Sequence, residues 1–529
     1  MRFDEKPVFI RYSLVAVAIL YVAVYLHLTN SAGLSDDQPP WHQNFDQIWY
    51  WRSAAAFAHG SLATTEHWYP PLYSLLIAPL VWAGETHAQL IVGLGLYLAS
   101  FAAFSAIARH FAMRPVLAAV FFVIATLWFD GMSRAWIWPW STSLSGALIL
   151  VAIAATLGLY FGGDGRETPD LAGPDARRLG GTVSHRQLAF LGAVLAAIPC
   201  ARPVDGVVTA ILGLFAAWQL LLVWRDWRGF GALTAGGLAI LLPYAALYLA
   251  IWGPAASEYA RMSAAIGFDF GKLGWKAYVL LVEPEPWYPS SVAMLDRMPW
   301  LILTGAALLA GLGRRETRLR IAIVALPTLA YFLPMICYRG FMPSGLWLFG
   351  LVHYFKWVVL LATLIAWDFA VRLRSAPALY AACLAAVLAL SAISFRPVVA
   401  GPDAPARLLV YSVRLPVSEN AIYMGETALH DRAGSQRNLF DMQAVLAPEG
   451  VIKVIAQSRD FSGDERITAD VPDADTIRAA AAVRVDGAKS AAAFGPLIGR
   501  YKPQMEFGLP CWLPVYTCPQ RLLPPVPLT

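Results

Sequence analysis

Charged residues are scarce in this chain. They make up 14% of its 529 residues, whereas soluble domains carry roughly 25%. Apolar residues reach 58% and the mean hydropathy is +0.54, which excludes an ordinary soluble domain. Several apolar runs reach the ~20 residues that a membrane-spanning helix needs. The composition therefore predicts a polytopic membrane protein.

The chain also lacks the motifs of several common enzyme classes. It has no Walker-type phosphate loop, no zinc-type spacing of Cys and His, and no recognisable Ser-His-Asp order. These absences argue against an enzyme that uses a cytoplasmic nucleotide sugar, and no nucleotide cofactor is expected. The net charge of +5 does not indicate a nucleic-acid partner, because the basic residues sit in short loops.

Cysteine is rare, with five residues in the whole chain. Cys200, Cys337 and Cys383 lie in or at the ends of apolar runs and are interpreted as packing residues. Cys511 and Cys518 fall together in the polar tail, where an extracytoplasmic location would allow a disulfide. Two unpaired thiols are the alternative interpretation of this pair.

Long hydrophobic runs are abundant, and they predict about eleven spans. The predicted spans are residues 8–28, 87–108, 116–129, 140–161, 188–200, 204–224, 230–252, 299–313, 321–337, 346–369 and 378–395. The first run is longer than the roughly 7–15 residues of a signal-peptide core, so it is interpreted as a retained span. Arginines cluster in alternate loops, and the positive-inside rule places these loops and the N-terminus in the cytoplasm. The expected location is a bacterial inner membrane.

The remaining segments are predicted to lie on the extracytoplasmic side. Residues 30–86 form a long first outer loop, in which the apolar stretch 72–82 is too short to cross and is predicted to be interfacial or re-entrant. Residues 1–395 are predicted to be an all-α catalytic membrane domain. Residues 396–529 contain short β-like runs at 408–413, 451–456 and 482–485. They are predicted to form a small α/β or β-rich periplasmic domain.

One stretch of the first outer loop, from Asp46 to Pro79, carries the clearest chemical signal. Asp46, Tyr50 and Ser53 share one face of a predicted helix. Gly60 ends that helix, and a Tyr-Pro-Pro segment then leads into the next apolar helix. A carboxylate walled by aromatic side chains at the membrane boundary has its pKa raised by desolvation, which suits a general base. A helix cap is the alternative role for Asp46.

This spacing resembles the first outer loop of the C-type (GT-C fold) glycosyltransferases, polytopic enzymes such as the mannosyl-, arabinosyl- and aminoarabinose-transferases that use dolichyl- or undecaprenyl-phosphate donors. The matching positions are Asp46, Tyr50, Ala54, Gly60, Tyr69, Pro70, Pro71, Leu72, Leu76 and Pro79. The resemblance implies that Asp46 is the base acting on the acceptor and that Tyr50 and Tyr69 contact substrate. It also implies a polyprenyl-phosphate sugar donor and a lipid, glycan or protein acceptor.

Such a reaction needs cations to stabilise the leaving phosphate. His353 and Lys356, in a His-Tyr-Phe-Lys run before a late span, resemble the basic patch of the family, with interfacial anchoring as the alternative. Further cations predicted on the outer side are Arg52, Arg134, Arg202 and Arg339. Arg202 is followed closely by Asp205 between two apolar runs, where a buried structural ion pair is an equally good interpretation.

Other candidates are predicted to line the same cavity. Glu66 and His67 precede the Tyr-Pro-Pro segment, with a solvated loop as the alternative. Glu283 and Trp287, in a proline-rich outer loop, suit sugar hydroxyls and sugar faces, or else form a rigid lid. Asp130 stands where some relatives carry a second acid for metal or sugar. No Asp-x-Asp pair surrounds it, and a structural turn is the alternative, so the sequence leaves metal dependence open.

The leading hypothesis is an inverting membrane glycosyltransferase that acts at the extracytoplasmic face with Asp46 as general base. A transporter or flippase of a lipid-linked or small solute is the second, motivated by the many spans and by Arg202 and Asp205 in a broken hairpin. Against it, the chain shows no repeated halves, and its ionisable residues gather on one face. A non-catalytic envelope assembly protein is the third. The sequence identifies neither the sugar nor the acceptor.

Overall fold

The computed structural model describes most of the apolar part of the chain and a set of strands near its end. The described residues are 7–30, 41, 45–127, 130–162, 183–268, 270, 273–282, 293–338, 341, 351–372, 385, 408–414, 422–430, 436–446, 451–458, 493–502, 505–507, 520–522 and 526–527. The α-helices are α1 (Pro7–Asn30), α2 (Phe45–Ala58), α3 (Leu72–Ile77), α4 (Glu85–His110), α5 (Pro115–Leu127), α6 (Asp130–Ile137), α7 (Ser141–Phe161), α8 (His185–Ala201), α9 (Gly206–Ala217), α10 (Trp227–Trp252), α11 (Glu258–Ile266), α12 (Leu273–Leu281), α13 (Met294–Arg297), α14 (Ile302–Gly313), α15 (Arg315–Cys337) and α16 (Lys356–Arg372). Short 3₁₀ helices cover Thr64–Glu66, Ala78–Ala83, Pro203–Asp205, Pro299–Leu301 and Leu351–Tyr354, and a π-helical turn covers Trp218–Trp224.

Six of the described helical segments are long and apolar enough to cross a membrane. They are Arg11–Thr29, Glu85–His110, Ser141–Phe161, Pro203–Trp224, Trp227–Trp252 and Thr317–Cys337. A seventh is added if α5 and α6, which meet at 98°, are counted as one bent span. The predicted class, a multi-pass helical membrane protein, is confirmed.

Within the described residues, the predicted spans from 8–28 to 346–369 fall on helices, although residues 128–129 and 346–350 lie outside the described residues. The predicted span 378–395 also lies outside them except for residue 385. The sequence count of about eleven exceeds six because it includes shorter apolar helices such as His185–Ala201 and Pro299–Gly313. Asp130, for which a structural turn was the alternative to a metal or sugar contact, is the first residue of α6. A helix forms there because Met132, Ala135 and Trp136 share one buried face.

The first outer loop is built from α2, a 3₁₀ turn, and α3 with its 3₁₀ continuation. After α2, Gly60 adopts a positive φ of 72°, a conformation that glycine takes without steric cost. Pro71 directly precedes α3 with a φ of −74°, which is preorganised for a helix start. Gly84, with a φ of 81°, turns the chain into α4. Residues 72–82, which were predicted to be interfacial, therefore form a short segment that is separate from α4.

Aromatic and small side chains pack this loop onto α4. Tyr50 of α2 lies buried with Tyr73 and Ile77 of the α3 region against Ala88 of α4. The rings of Tyr50 and Tyr73 meet edge to face at 5.1 Å, a favoured aromatic geometry. The Tyr73 hydroxyl also donates to Gln89 Oε1 at 3.2 Å. These contacts fix the position of α2 on the membrane helices.

Helices α8 and α10 cross at glycines. A Cβ on Gly192 would overlap the carbonyl oxygen of Leu233, and a Cβ on Gly236 would overlap the carbonyl oxygen of Ala189. Small residues at such crossings let two membrane helices approach closely. The close approach fixes the position of α8 against α10. It therefore also fixes the position of the turn Pro203–Asp205, which follows the C-terminal end of α8.

The C-terminal strands form two antiparallel sheets. The strands are β1 (Leu408–Arg414), β2 (Ile422–His430), β3 (Gln436–Leu446), β4 (Val451–Ser458), β5 (Ala493–Lys502), β6 (Met505–Phe507), β7 (Gln520–Leu522) and β8 (Val526–Pro527). One sheet has the order β2-β3-β4-β1-β5-β8, and the other pairs β6 with β7. The runs predicted at 408–413 and 451–456 are strands, whereas 482–485 lies outside the described residues.

The chain divides into two compact units. One comprises Met1–Asp269 and Met298–Leu390, and the other comprises Phe270–Arg297 and Ser391–Thr529. Cys200 and Cys337 are buried in the first unit, and neither forms a disulfide within the described residues. Cys383, Cys511 and Cys518 lie outside the described residues.

Candidate functional site

Asp46 lies half-buried in the first turn of α2. The Tyr69 hydroxyl donates a hydrogen bond to Asp46 Oδ1, so the Tyr-Pro-Pro segment reaches back across the loop to the carboxylate. Burial raises the pKa of Asp46, although the Tyr69 hydrogen bond and the positive charge of Arg202 both act to lower it. The carboxylate thus holds a proton more tightly than an exposed aspartate and lies within the field of a cation.

Tyrosine rings from three segments surround this carboxylate. The ring of Tyr69 lies 4.9 Å from that of Tyr50 and 5.0 Å from that of Tyr259, centroid to centroid. Tyr50 follows Asp46 on α2, and Tyr259 belongs to α11. Burial raises the pKa of Tyr50 and Tyr69 well above the ordinary value, so both hydroxyls stay protonated at neutral pH.

Arg202 is buried at the end of α8, at the tip of a turn that opens the next span. Its Nη1 lies 3.3 Å from Asp205 Oδ1 and donates to the Tyr331 hydroxyl at 3.2 Å. Its guanidinium lies over the ring of Tyr354, 4.9 Å from the centroid. The ion pair considered from the sequence is therefore present. The same guanidinium also acts electrostatically on Asp46.

The first turn of α7 supplies hydroxyls to three separate elements. Ser141 Oγ lies 3.0 Å from the hydroxyl of Tyr50 on α2. Thr142 Oγ1 lies 3.0 Å from His353 Nδ1, in the 3₁₀ helix Leu351–Tyr354. Ser143 Oγ accepts a hydrogen bond from Lys356 Nζ at 2.5 Å. Three consecutive residues thus connect α2 to the start of α16.

His353 and Lys356, both predicted to bind phosphate, are buried and already have protein partners. The ring of His353 stacks in parallel on Trp140 at 3.7 Å, and its Nε2 has no hydrogen-bond partner among the described residues. Besides Ser143, Lys356 Nζ donates to the carbonyl oxygen of Ala135 at 2.9 Å. Lys356 therefore ties α16 to the end of α6 and the start of α7.

Glu66 and His67 make their contacts within the first outer loop. Ser61 Oγ donates to Glu66 Oε2 at 2.6 Å. His67 Nε2 lies 3.1 Å from the Ser61 carbonyl oxygen and Nδ1 lies 2.8 Å from Ser53 Oγ. Because a carbonyl only accepts, Nε2 carries the proton and Nδ1 accepts from the serine. His67 thus holds the loop against α2, whereas Glu66 bonds within the loop.

Several predicted residues are not placed by the structure. Arg339, Glu283 and Trp287 lie outside the described residues. Asp130 is the first residue of α6, and its side chain is not described. Within the described residues, no group of three or more His, Cys, Asp or Glu could hold a metal ion. Arg52 lies over the ring of Trp49 at 5.0 Å.

Four residues that the structure places around Asp46 and Arg202 were not candidates from the sequence: Tyr259, Tyr331, Tyr354 and Ser141. Tyr354 stands next to His353 in a run that the sequence did single out. The other three had no usable signal, because a tyrosine or serine in or beside an apolar helix is ordinary composition. Their contacts to Tyr69, Arg202 and Tyr50 join residues 91 or more positions apart, and one sequence does not reveal such pairings.

No protein-family model and no curated protein matches this chain. Among solved structures it is similar to ArnT from Cupriavidus metallidurans bound to undecaprenyl phosphate, with 15% identity, a TM-score of 0.39, and coverage of 66% of this chain and 59% of that chain. It is also similar to the archaeal oligosaccharyltransferase AglB from Archaeoglobus fulgidus in complex with an inhibitory peptide and a dolichol-phosphate, with 13% identity, a TM-score of 0.34, and coverage of 73% and 55%. The chain thus spans less than two thirds of the length of either structure.

Proposed function

We propose that this chain is an inverting membrane glycosyltransferase. It takes a sugar from a polyprenyl-phosphate donor and transfers it to a lipid, glycan or protein acceptor at the extracytoplasmic face of a bacterial inner membrane. The observation that carries the proposal is the half-buried carboxylate of Asp46, held by Tyr69 and lying in the field of Arg202. A candidate base in the stretch whose sequence resembles the C-type glycosyltransferases thus lies in the field of a cation from a distant part of the chain.

In the proposed reaction, Asp46 removes the proton from the acceptor nucleophile as that nucleophile attacks the anomeric carbon. The bond between the anomeric carbon and the phosphate oxygen breaks, and the lipid phosphate leaves with the electron pair. Attack from the side opposite the leaving group inverts the anomeric configuration. Burial, which raises the pKa of Asp46, strengthens the carboxylate as a base near neutral pH.

Arg202 is the proposed contact for the leaving phosphate. Its Nη1 makes both of its hydrogen bonds, to Asp205 and Tyr331, so Nε and Nη2 have no protein partner among the described residues. A guanidinium binds phosphate oxygens through such paired donors. His353, with its unpartnered Nε2, is a second proposed contact. The remaining predicted substrate and metal residues stay predictions: Tyr50, Glu66, His67, Tyr69, Arg339, Lys356, Glu283, Trp287 and Asp130.

The test compares Asp46→Asn and Asp46→Ala with the unchanged protein in liposomes that contain a polyprenyl-phosphate-linked radiolabelled sugar and a membrane extract as acceptor. Transfer should fall by about 10²–10⁴-fold, the range supplied by a positioned general base. Asp226→Asn is the matched control. Asp226 caps α10 by accepting from the Gly229 amide, and asparagine caps helices equally well. Full transfer by both Asp46 variants would overturn the proposal.

The transporter alternative predicts a different result in the same vesicles. A flippase moves the labelled lipid between leaflets without forming a new glycosidic bond. This alternative therefore makes no prediction for the rate of lipid movement in Asp46→Asn. Mass spectrometry of the vesicle products distinguishes the two, because only a transferase yields a glycosylated acceptor and free lipid phosphate. Leaflet exchange with no glycosylated product would favour transport.

A further inference from the structure

We propose that Tyr69 is a positioning residue for Asp46, holding Oδ1 of the carboxylate so that Oδ2 is the oxygen that takes the acceptor proton. This inference rests on the proposed function. Tyr69 then acts through Asp46, whereas its place in the sequence pattern predicted a contact with the substrate.

The geometry of the first outer loop supports this role. The Tyr69 hydroxyl donates to Asp46 Oδ1 across a sequence separation of 23 residues. No other described residue makes a hydrogen bond to this carboxylate, so Oδ2 is left without a protein donor. A carboxylate with one oxygen fixed has a defined orientation, and its second oxygen is the available proton acceptor.

Tyr69 is itself held rigidly. Its ring packs against Tyr50 on one neighbouring segment and Tyr259 on another. Its backbone is constrained because Pro70 and Pro71 follow it, and a residue before proline is restricted to extended conformations. The Tyr-Pro-Pro sequence therefore delivers one hydroxyl to one carboxylate oxygen with little conformational freedom.

The groups that face Asp46 decide how this contact affects its protonation. They are Tyr50 on α2, Tyr69 before α3, Arg202 after α8, Tyr259 on α11 and Tyr354 before α16. Phenols ionise near pH 10, so all four tyrosines are neutral where a carboxylate titrates. Arg202 is the one charged group of this set. Tyr69 contributes a hydrogen bond that favours the ionised carboxylate.

Removing the Tyr69 hydroxyl should therefore change the pH dependence as well as the rate. In Tyr69→Phe the carboxylate loses a donor that stabilises its charged form, so Asp46 stays protonated up to a higher pH. The acidic limb of the kcat/KM profile should shift to higher pH. Activity on that limb should fall about tenfold, the typical effect of one hydrogen bond to a charged group, with a smaller loss on the plateau.

Tyr73→Phe is the matched control. It removes one buried hydroxyl from the same aromatic cluster, but that hydroxyl donates to Gln89 and does not contact Asp46. Its pH profile should overlay that of the unchanged protein. A general disturbance of the cluster would shift both profiles equally, and that outcome would overturn the inference.

The experiment measures pH profiles of transfer for the unchanged protein, Tyr69→Phe and Tyr73→Phe, together with Asp46→Asn at one pH. A shifted limb in Tyr69→Phe alone supports the inference. An unshifted limb beside an inactive Asp46→Asn overturns this inference and leaves the proposed function standing, whereas a fully active Asp46→Asn overturns the proposed function itself. If Tyr69→Phe is too inactive to profile, thermal unfolding of Asp46→Asn, Tyr69→Phe and the double variant gives a second readout. Additive effects would overturn the inference, and non-additive effects support it.

Discussion

Arg202 and Tyr354 are stacked, with the guanidinium carbon 4.9 Å from the centroid of the tyrosine ring. Tyr331 completes this arrangement, because its hydroxyl accepts from Arg202 at 3.2 Å and donates to the Tyr354 carbonyl oxygen at 2.9 Å. The guanidinium is thus fixed by an aromatic face, a hydroxyl and the carboxylate of Asp205. A cation held in this way keeps its remaining donors pointed in a constant direction.

Under the proposed function, Tyr331→Phe is expected to raise the KM for the lipid-linked donor about tenfold, because one hydrogen bond from the charged guanidinium of Arg202 is lost. The acidic limb of the pH profile should stay unchanged, since Tyr331 does not contact Asp46. Initial rates at varied donor concentration measure the effect. Tyr97→Phe, which removes a buried hydroxyl bonded to Thr126 at 2.7 Å, is the control. An unchanged KM in Tyr331→Phe would show that this hydroxyl does not orient the cation.

Gly192→Ala is expected to destabilise the protein by about 1–3 kcal/mol, the usual cost of overpacking. The added methyl would overlap the Leu233 carbonyl oxygen, which is backbone of the neighbouring helix and cannot swing aside. Thermal unfolding in detergent measures the loss. Gly95→Ala is the control, because a Cβ there meets no atom within 4 Å and alanine is the better helix former. Equal stability of the two variants would refute the close crossing of α8 and α10.

Lys356→Met is expected to lower stability by about 1–3 kcal/mol, because the carbonyl of Ala135 and the hydroxyl of Ser143 lose their buried donor. Thr328→Val is the comparison, since that buried hydroxyl bonds only within its own helix, to Val324. Unfolding temperature and donor KM are measured on both. Normal stability with a raised KM in Lys356→Met would instead assign Lys356 to the donor phosphate.

His67 should make the first outer loop less stable in mild acid. Burial lowers the pKa of His67, so the folded loop binds the proton less tightly than the unfolded loop does. The contribution of neutral His67 is therefore complete above its ordinary pKa of about 6.5 and is lost as the pH falls towards the lowered value. Proteolysis of the loop should quicken as the pH falls below about 6.5. His67→Gln should flatten this dependence, whereas the exposed His59→Gln should not.

The sequence predicted the helices well because membrane spans are read from composition alone. It also singled out Asp46 as a candidate base, since the aspartate, tyrosine and proline spacing is local to one loop. The partners of Asp46 were harder to predict. Arg202 was one of six candidate cations, and Tyr259 and Tyr331 gave no signal at all, because contacts between helices depend on rotation and tilt that hydrophobicity does not encode. Lys356 was predicted to bind phosphate, and only the structure reveals its two protein acceptors.

The three hydroxyls at the start of α7 have a consequence for how the protein is made. Ser141, Thr142 and Ser143 meet partners 91, 211 and 213 residues away. Because the chain is synthesised from its N-terminus, α7 is inserted long before α16 exists, and Thr142 and Ser143 must wait for their partners. Contacts of such sequence separation form late in folding. The surroundings of Asp46 are therefore complete only after synthesis has passed residue 356, and a chain that stops earlier would contain the carboxylate without the groups that pack around it in the folded protein.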